Sequence, residues 1–306
     1  MAIEFFDASN AMQTVNRLCA VSHELLPSAS PYQDLPRYLA ASRARLEVLT
    51  ETMRGFGYGC RLQTFRHKRR LLSRSHEAAN ALFFCGDEIA PRSALIIGHH
   101  DYCAGLGAED NGAALGVIAE LARLFRGCNR LCFASFDLEE LGCAGSTRFV
   151  KSLSRAEFRE FEWVICLECL GSGKDLVACQ WMCDVVSDPH LVSTLVEAAN
   201  AKGHELPVHG FDCFYSDHFP FAARGAKTVE LGSIDLAEWK GMSDRQRRNQ
   251  FAMSACGARR LDGSIAHTVF DRPENIQQSN LQKAGDCLVE TIRLLIGASP
   301  ARSCDS

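Results

Sequence analysis

The order of apolar runs along the chain predicts an α/β fold, a largely parallel sheet covered by helices. Two observations carry this expectation. From about Ala81 onward, short strand-like runs alternate with longer runs of helical spacing, a rhythm that sets strands side by side and packs the intervening helices on the sheet faces. Neither an internal repeat nor a Pro- or Gly-rich linker interrupts it, so residues 1–306 are expected to form one domain. The 47% hydrophobic content is ample for a sizeable buried core.

Ala11 to Leu25 and Leu35 to Phe56 carry helix-like spacing, the second run broken by Gly55 to Gly59, and residues 1–60 read as an N-terminal helical cover. Strands are expected at Ala81 to Cys85 and Ala94 to Gly98. A helix should follow from about Asn111, because Ala114, Val117, Ile118, Leu121, Leu124 and Phe125 share one face and Gly127 supplies a stop. Leu131 to Phe136 reads as a strand, a helix starts near Ala144, and Val164 to Leu167 is a further buried strand. Leu176 to Cys179 and Lys227 to Leu231 complete the strands; His190 to Ala201 and Leu281 to Ile296 complete the helices. Residues 235–262 break the rhythm. Helix-prone and rich in Arg and Gln, they read as a helical insertion, either a surface helix or a lid beside a site.

Composition excludes several classes of function. A formal net charge of -4 gives no global basic field, so nucleic acid is not an expected partner. The local basic run Arg66-His67-Lys68-Arg69-Arg70 reads as a solvated hairpin or loop face. No apolar run approaches the roughly 20 residues that span a bilayer, so no membrane association is expected. The first residues lack the basic and apolar regions of a signal peptide. A cytoplasmic setting is therefore expected, where the 15 cysteines stay reduced and serve mainly as small buried hydrophobes. Cys166 and Cys169 have C-x-x-C spacing, but residues three apart on a strand point to opposite faces, which argues against a redox or zinc motif.

Five short segments carry the chemistry: His99-His100-Asp101, Glu109-Asp110-Asn111, Asp137-Leu138-Glu139-Glu140, Glu168 and His267. Four of them follow strand-like runs or sit at a loop-to-helix junction, where open α/β sheets collect functional groups. A pair of zinc ions needs a shared carboxylate, plus one histidine and one carboxylate each, and the segments contain that inventory. Asp101, two residues beyond His99, returns to the same side of an extended chain and can hold the second ring nitrogen. Asp110 follows the small-residue loop Gly105 to Ala108, and a helix N-cap is its competing role. Glu139 and Glu140 are costly neighbours without a cation or proton, and no Arg or Lys lies between Leu131 and Thr147. Glu168 closes a buried strand, where an unpaired carboxylate is disfavoured. His267, taken alone, reads equally as a surface or core histidine.

From about Asn80 to Asn275 these segments resemble the metal-dependent aminopeptidases of peptidase family M28. The likeness rests on Gly98 to Asp101, Gly107 to Gly112, Phe136 to Gly142 with Gly145-Ser146, Ser216-Asp217-His218 with Pro220-Phe221, and Ala266-His267 followed by Asp271. It implies a three-layer αβα sandwich with a mixed, largely parallel central sheet. It also implies two Zn2+ ions, with Asp110 bridging, Glu140 and His267 completing one site, and His99 and Glu168 the other. Glu139 would be the general base and Asp101 the partner of His99; Tyr215, Asp217 and His218 would contact substrate. The expected activity is hydrolysis of a peptide or amide bond, removing N-terminal residues from small peptides. Two departures stand out: most such aminopeptidases carry Asp where this chain has Glu168, and His100 adds an imidazole beside His99.

Alternatives share the fold. A carboxypeptidase or N-acyl amino acid deacylase would use the same two-zinc site. A glutaminyl cyclase would use one zinc on Asp110, Glu140 and His267, but cyclases carry Trp before the last histidine, where this chain has Ala266. A receptor-like scaffold would lack ligands or the base, all of which are present here. Trp181, Met182, Phe211, Phe214, Tyr215 and Trp239 are candidates for a side-chain pocket.

Overall fold

The structure is a computed structural model that describes residues 5–25, 34–68, 75–86, 89–91, 93–211, 215–247 and 263–297. Among these, nine strands form one mixed sheet: β1 (Gly59–Lys68), β2 (Ser75–Phe84), β3 (Ser93–His99), β4 (Leu131–Phe136), β5 (Phe161–Glu168), β6 (Asp175–Met182), β7 (Val185–Val186), β8 (Val208–Phe211) and β9 (Lys227–Ile234). The order is β1-β2-β4-β3-β5-β9-β6-β7, with β8 paired to β6. The centre, β4-β3-β5-β9, is parallel, while β1 and β2 on one side and β6 and β7 on the other attach antiparallel.

The helices are α1 (Ala8–Leu25), α2 (Leu35–Gly55), α3 (Ala114–Leu124), α4 (Ala144–Ser152), α5 (Arg155–Arg159), α6 (Pro189–Ala201), α7 (Phe219–Ala223), α8 (Leu236–Gly241) and α9 (Gln278–Ile296). They form the outer two layers because the central strands are apolar on both faces. Ile96, Phe133, Ile165 and Val229 point into a core with α1, α3, α6 and α9. Their neighbours Leu95, Ile97, Cys132, Ala134, Val164 and Cys166 point the other way, onto Phe149 of α4 and Phe221 of α7. Period-two alternation divides each strand between the two cores. Gly116 lets α1 and α3 cross closely, since a Cβ there would lie 2.6 Å from the Ala11 carbonyl oxygen.

Parallel register aligns the carboxyl ends of the central strands. His99 pairs with Phe136, and Glu168 with Gly232. The loops leaving β3, β4 and β5 therefore open at one edge, the position where such sheets gather ligands.

Two expectations need correction. The helix expected from Asn111 begins regularly only at Ala114, after an irregular segment, Ala108–Ala113, in which Asp110 (φ -113°, ψ 91°) and Asn111 (φ -127°, ψ 36°) are not helical. Asp110 is consequently not an N-cap. The extended backbone instead turns its amide, and that of Glu109, onto the Asp271 carboxylate at 3.3 and 2.6 Å. Second, β1 and β8 form where no strand was expected, and β2 starts six residues before Ala81, at Ser75. The Arg66-His67-Lys68 part of the basic run ends β1 in its hairpin with β2; Arg69 and Arg70 lie outside the described residues. Helix α2 lies within the expected N-terminal helical cover, and its inner face reaches the functional edge. In the 235–262 insertion only residues 235–247 are described, beginning with α8, and the lid reading falls on residues outside them.

From α2, fully buried Arg45 donates to the carbonyls of Leu106 and Gly107 at 2.9 and 3.0 Å and to Ser22 Oγ at 3.0 Å, with its guanidinium over Tyr102. Gly107 (φ 64°) is required there, as a Cβ would lie 2.6 Å from Tyr102 and 2.9 Å from Arg45. Arg45→Met leaves buried acceptors unsatisfied, so we expect urea denaturation to show a loss of about 2 to 4 kcal/mol. An unchanged midpoint would mean that this clamp is dispensable. Among the described residues no helix is long and apolar enough to cross a membrane.

Candidate metal centre

Five side chains converge at the carboxyl edge of the sheet. His99 ends β3, Glu168 ends β5, Asp110 comes from the irregular turn before α3, Glu140 from the loop after β4, and His267 from the loop before α9. His99 Nε2 lies 3.0 Å from Asp110 Oδ1 and 3.2 Å from Glu168 Oε1. His267 Nε2 lies 2.9 Å from both Asp110 Oδ2 and Glu140 Oε2. The two oxygens of Asp110 thus serve two separate His–carboxylate triads, and one carboxylate joins them.

The backbone is built to hold this arrangement. His267 (φ 60°) and Leu138 (φ 60°) adopt left-handed conformations next to the site, of the kind that persists only where surrounding contacts enforce it. Asn111 Nδ2 donates to the Leu167 carbonyl at 2.9 Å and to Glu168 Oε2 at 3.3 Å, and Ser216 Oγ donates to the same oxygen at 3.2 Å. These contacts steady Glu168, the carboxylate with one methylene more than usual. Glu109 faces away, accepting the Gly171 and Ser172 amides and the Ser172 hydroxyl at 2.7 to 3.0 Å; burial pushes its carboxyl up to about 7.

Asp101 is a hub. Its Oδ1 is 3.3 Å from His99 Nδ1 and accepts the Glu139 amide, while its Oδ2 accepts the Glu140 amide and the Tyr38 hydroxyl of α2. Burial opposes its charge, but His99 and Tyr38 prevail and hold the carboxyl below its ordinary range. His100 points elsewhere, with Nδ1 2.9 Å from Ser135 Oγ. Burial pushes it down to about 3, a neutral packed imidazole.

Burial raises Glu139 well above the usual carboxylate range, with Glu168, Asp217 and Glu140 adding to it and His99 opposing. Glu139, Asp110, Glu140, Glu168 and His267 line a cavity of about 350 Å³, whose other walls include Tyr215, Phe211, Val177, Cys179 and Glu230. Of the three expected substrate contacts, Tyr215 alone borders it. Asp217 and His218 are 0% and 1% exposed and lie behind the wall, because the turn that starts α7 directs them inward. Among the pocket candidates Phe211 is a wall, Met182 and Trp239 are core, and Phe214 lies outside the described residues. Cys103 also reaches the site, with Sγ 2.9 Å from Glu140 Oε2, and only its place in the loop between His99 and Asp110 marks it in the sequence.

The profile of peptidase family M28 matches residues 86–292. The chain belongs to peptidase family M28. Aminopeptidase YwaD of Bacillus subtilis is 24% identical over 195 residues, 61% of this chain and 37% of that protein, so the match spans well under half of the relative. Among solved structures, a zinc aminopeptidase from Bacillus subtilis superposes with a TM-score of 0.73 at 16% identity, covering 96% of each chain. A Porphyromonas gingivalis glutaminyl cyclase gives 0.71 at 19% identity, covering 96% of this chain and all of that one. These likenesses establish the αβα fold.

The residues of this M28 chain fit zinc. They are nitrogen and oxygen donors of the kinds zinc takes. Among the described residues they crowd carboxylates together with no lysine or arginine in the cavity wall, and they leave Asp110 Oδ1 and Glu140 Oε1 buried without a hydrogen-bond partner. Without zinc, the carboxylates around His99 and His267 favour the protonated imidazoles. Burial opposes this, but Glu168, Asp101 and Asp110 raise the first and Glu140 and Asp110 the second well above the ordinary range. A ligating histidine must be neutral, so at neutral pH each gives up its proton on loading, and zinc affinity should rise with pH. Calorimetric zinc titrations in buffers of differing ionisation enthalpy should report net proton release. Heats independent of buffer would count against this ligand set.

Proposed function

We propose that the chain is a two-zinc aminopeptidase that removes N-terminal residues from small peptides. The observation that carries this reading is Asp110, with one oxygen 3.0 Å from His99 Nε2 and the other 2.9 Å from His267 Nε2. That symmetry suits zinc binding in which Asp110 would serve both groups, His99 and Glu168 completing one and Glu140 and His267 the other. Bound there, zinc would supply Lewis-acid polarisation of the scissile carbonyl and would acidify water toward a pKa of about 7.

The protein's own groups perform the proton transfers. Glu139, at the cavity wall beside Glu140, is the general base, taking the proton of the attacking water and delivering it to the leaving amine. Asp101 fixes the peptide amides of Glu139 and Glu140 and the Nδ1 side of His99, so base and ligands keep a common frame. A cavity lined by acids attracts a substrate's free α-ammonium, which favours cleavage at the amino end. The described cysteines are free thiols, which supports a reducing, cytoplasmic setting.

The test is release of amino acids from a panel of aminoacyl 4-nitroanilides, with N-acetylated controls, glutaminyl peptides and zinc content measured together. We expect about two zincs per chain and turnover abolished by N-acetylation. Turnover surviving acetylation would point to a deacylase or endopeptidase, and one zinc with cyclisation of glutaminyl peptides would replace the reading with a cyclase.

A further inference from the structure

We propose that the cavity is a side-chain subsite for a basic residue and that Glu230 selects it, so that the preferred substrates carry an N-terminal lysine or arginine. The inference rests on the two-zinc aminopeptidase reading and names its substrate class. Glu230 lies on β9, outside the ligand set, and borders the same cavity as Asp110, Glu139, Glu140, Glu168 and His267. It is 7% exposed, and its Oε2 has no hydrogen-bond partner.

Strand register gives the depth of the subsite. Gly232 pairs with both Glu168 of β5 and Val177 of β6, and Glu230 pairs with Cys166, two residues further into the sheet. Residues two apart share a face and lie about 6.6 Å from each other along a strand. The metal ligand Glu168 thus marks the mouth, Gly232 leaves the floor bare, and Glu230 marks the far end. Between them Val177, Cys179 and Phe211 present apolar surface. That sequence of surfaces matches an unbranched aliphatic stem with a cationic tip, which buries its methylenes and keeps its charge paired.

Charge balance supports the same occupant. Among the described residues five carboxylates border the cavity and no lysine or arginine does. Two zinc ions, with neutral histidine ligands, would balance the four at the mouth but leave Glu230 outside that balance. The nearest groups to Glu230 are the His218 ring, with Nδ1 3.3 Å from Oε2 but not aligned for a hydrogen bond, and the Cys166 thiol; the Glu168 and Asp217 carboxylates and the Cys179 thiol also feel its charge. A buried carboxylate whose contacts are an unaligned imidazole, thiols and further acids is poorly compensated, and a cationic side chain entering from the mouth relieves it.

The experiment uses the full-length zinc-loaded protein with lysyl, arginyl, norleucyl, leucyl and glutamyl 4-nitroanilides. Norleucine preserves the straight stem without the charge. We expect kcat/KM for lysyl or arginyl substrates to exceed that for norleucyl by at least about tenfold. Glu230→Gln should bring the ratio close to one, and Glu230→Asp, which keeps the charge, should retain part of it. Calorimetric binding of free L-lysine against L-norleucine should show the same order and the same response to Glu230→Gln, which tests the subsite independently of turnover. Equal treatment of lysine and norleucine in both measurements, or a preference that survives Glu230→Gln, overturns the inference while leaving the aminopeptidase reading intact. Failure to cleave any anilide removes that reading, and the binding comparison then still decides the role of Glu230.

Discussion

Replacing Glu139 with glutamine is expected to lower turnover by roughly 10²- to 10⁴-fold with zinc content unchanged. The substitution keeps the shape of the side chain and its position, because what anchors this segment is the Glu139 backbone amide on Asp101 Oδ1 at 3.2 Å. What it removes is the capacity to accept and return a proton. Side-chain contact with the Cys143 thiol, 3.3 Å from Oε1, can persist. Activity and metal content measured on one preparation separate the possibilities. If both zincs were lost along with turnover, Glu139 would be a ligand, and the base would have to be sought among the neighbouring carboxylates.

Asp110→Asn should have the other large effect, through the metals. Both Asp110 oxygens are engaged, one toward each histidine, so exchanging one for an amide weakens both triads at once. Loss of an outer partner of a ligand costs about 10- to 100-fold in metal affinity, and loss of a shared ligand should exceed that. We expect zinc per chain after dialysis to fall to a small fraction of the wild-type value, with turnover falling in parallel. His267→Ala is the control, because it touches one triad and should deplete one ion selectively. Two zincs retained in Asp110→Asn would show that Asp110 does not bridge.

How much of this was legible in the sequence depends on where each residue stands. His99 and Glu168 announce themselves by closing apolar strands, since a polar group there needs a partner. Asp110 is legible as chemistry but not as geometry: the apolar helical face begins only at Ala114, and the irregular turn before it is held by distant partners, the Asp271 carboxylate and the Leu167 carbonyl. Strand β1 escaped notice because it is an edge strand with Arg61, Gln63 and Arg66 among its apolar residues, so the run of hydrophobicity is broken. Asp217 and His218 were assigned to substrate by their motif. The turn before α7 buries both, which no local pattern reveals. Glu230 gave no signal, because Thr-Val-Glu-Leu-Gly-Ser reads as an ordinary alternating strand until the cavity beside it is seen.

Helix α2 bears on how this protein can be shortened. The family match begins at residue 86, yet Tyr38, Ser42 and Arg45 of the preceding helix bond Asp101, Asp137 and the loop at Leu106 and Gly107. Those acceptors lie within a few residues of His99, Asp110, Glu139 and Glu140, the proposed zinc ligands and base. A fragment trimmed to the matched segment would keep every ligand and lose the scaffolding behind them. The catalytic unit therefore extends upstream of the region by which it is recognised, and the ligand set alone is not a transplantable module.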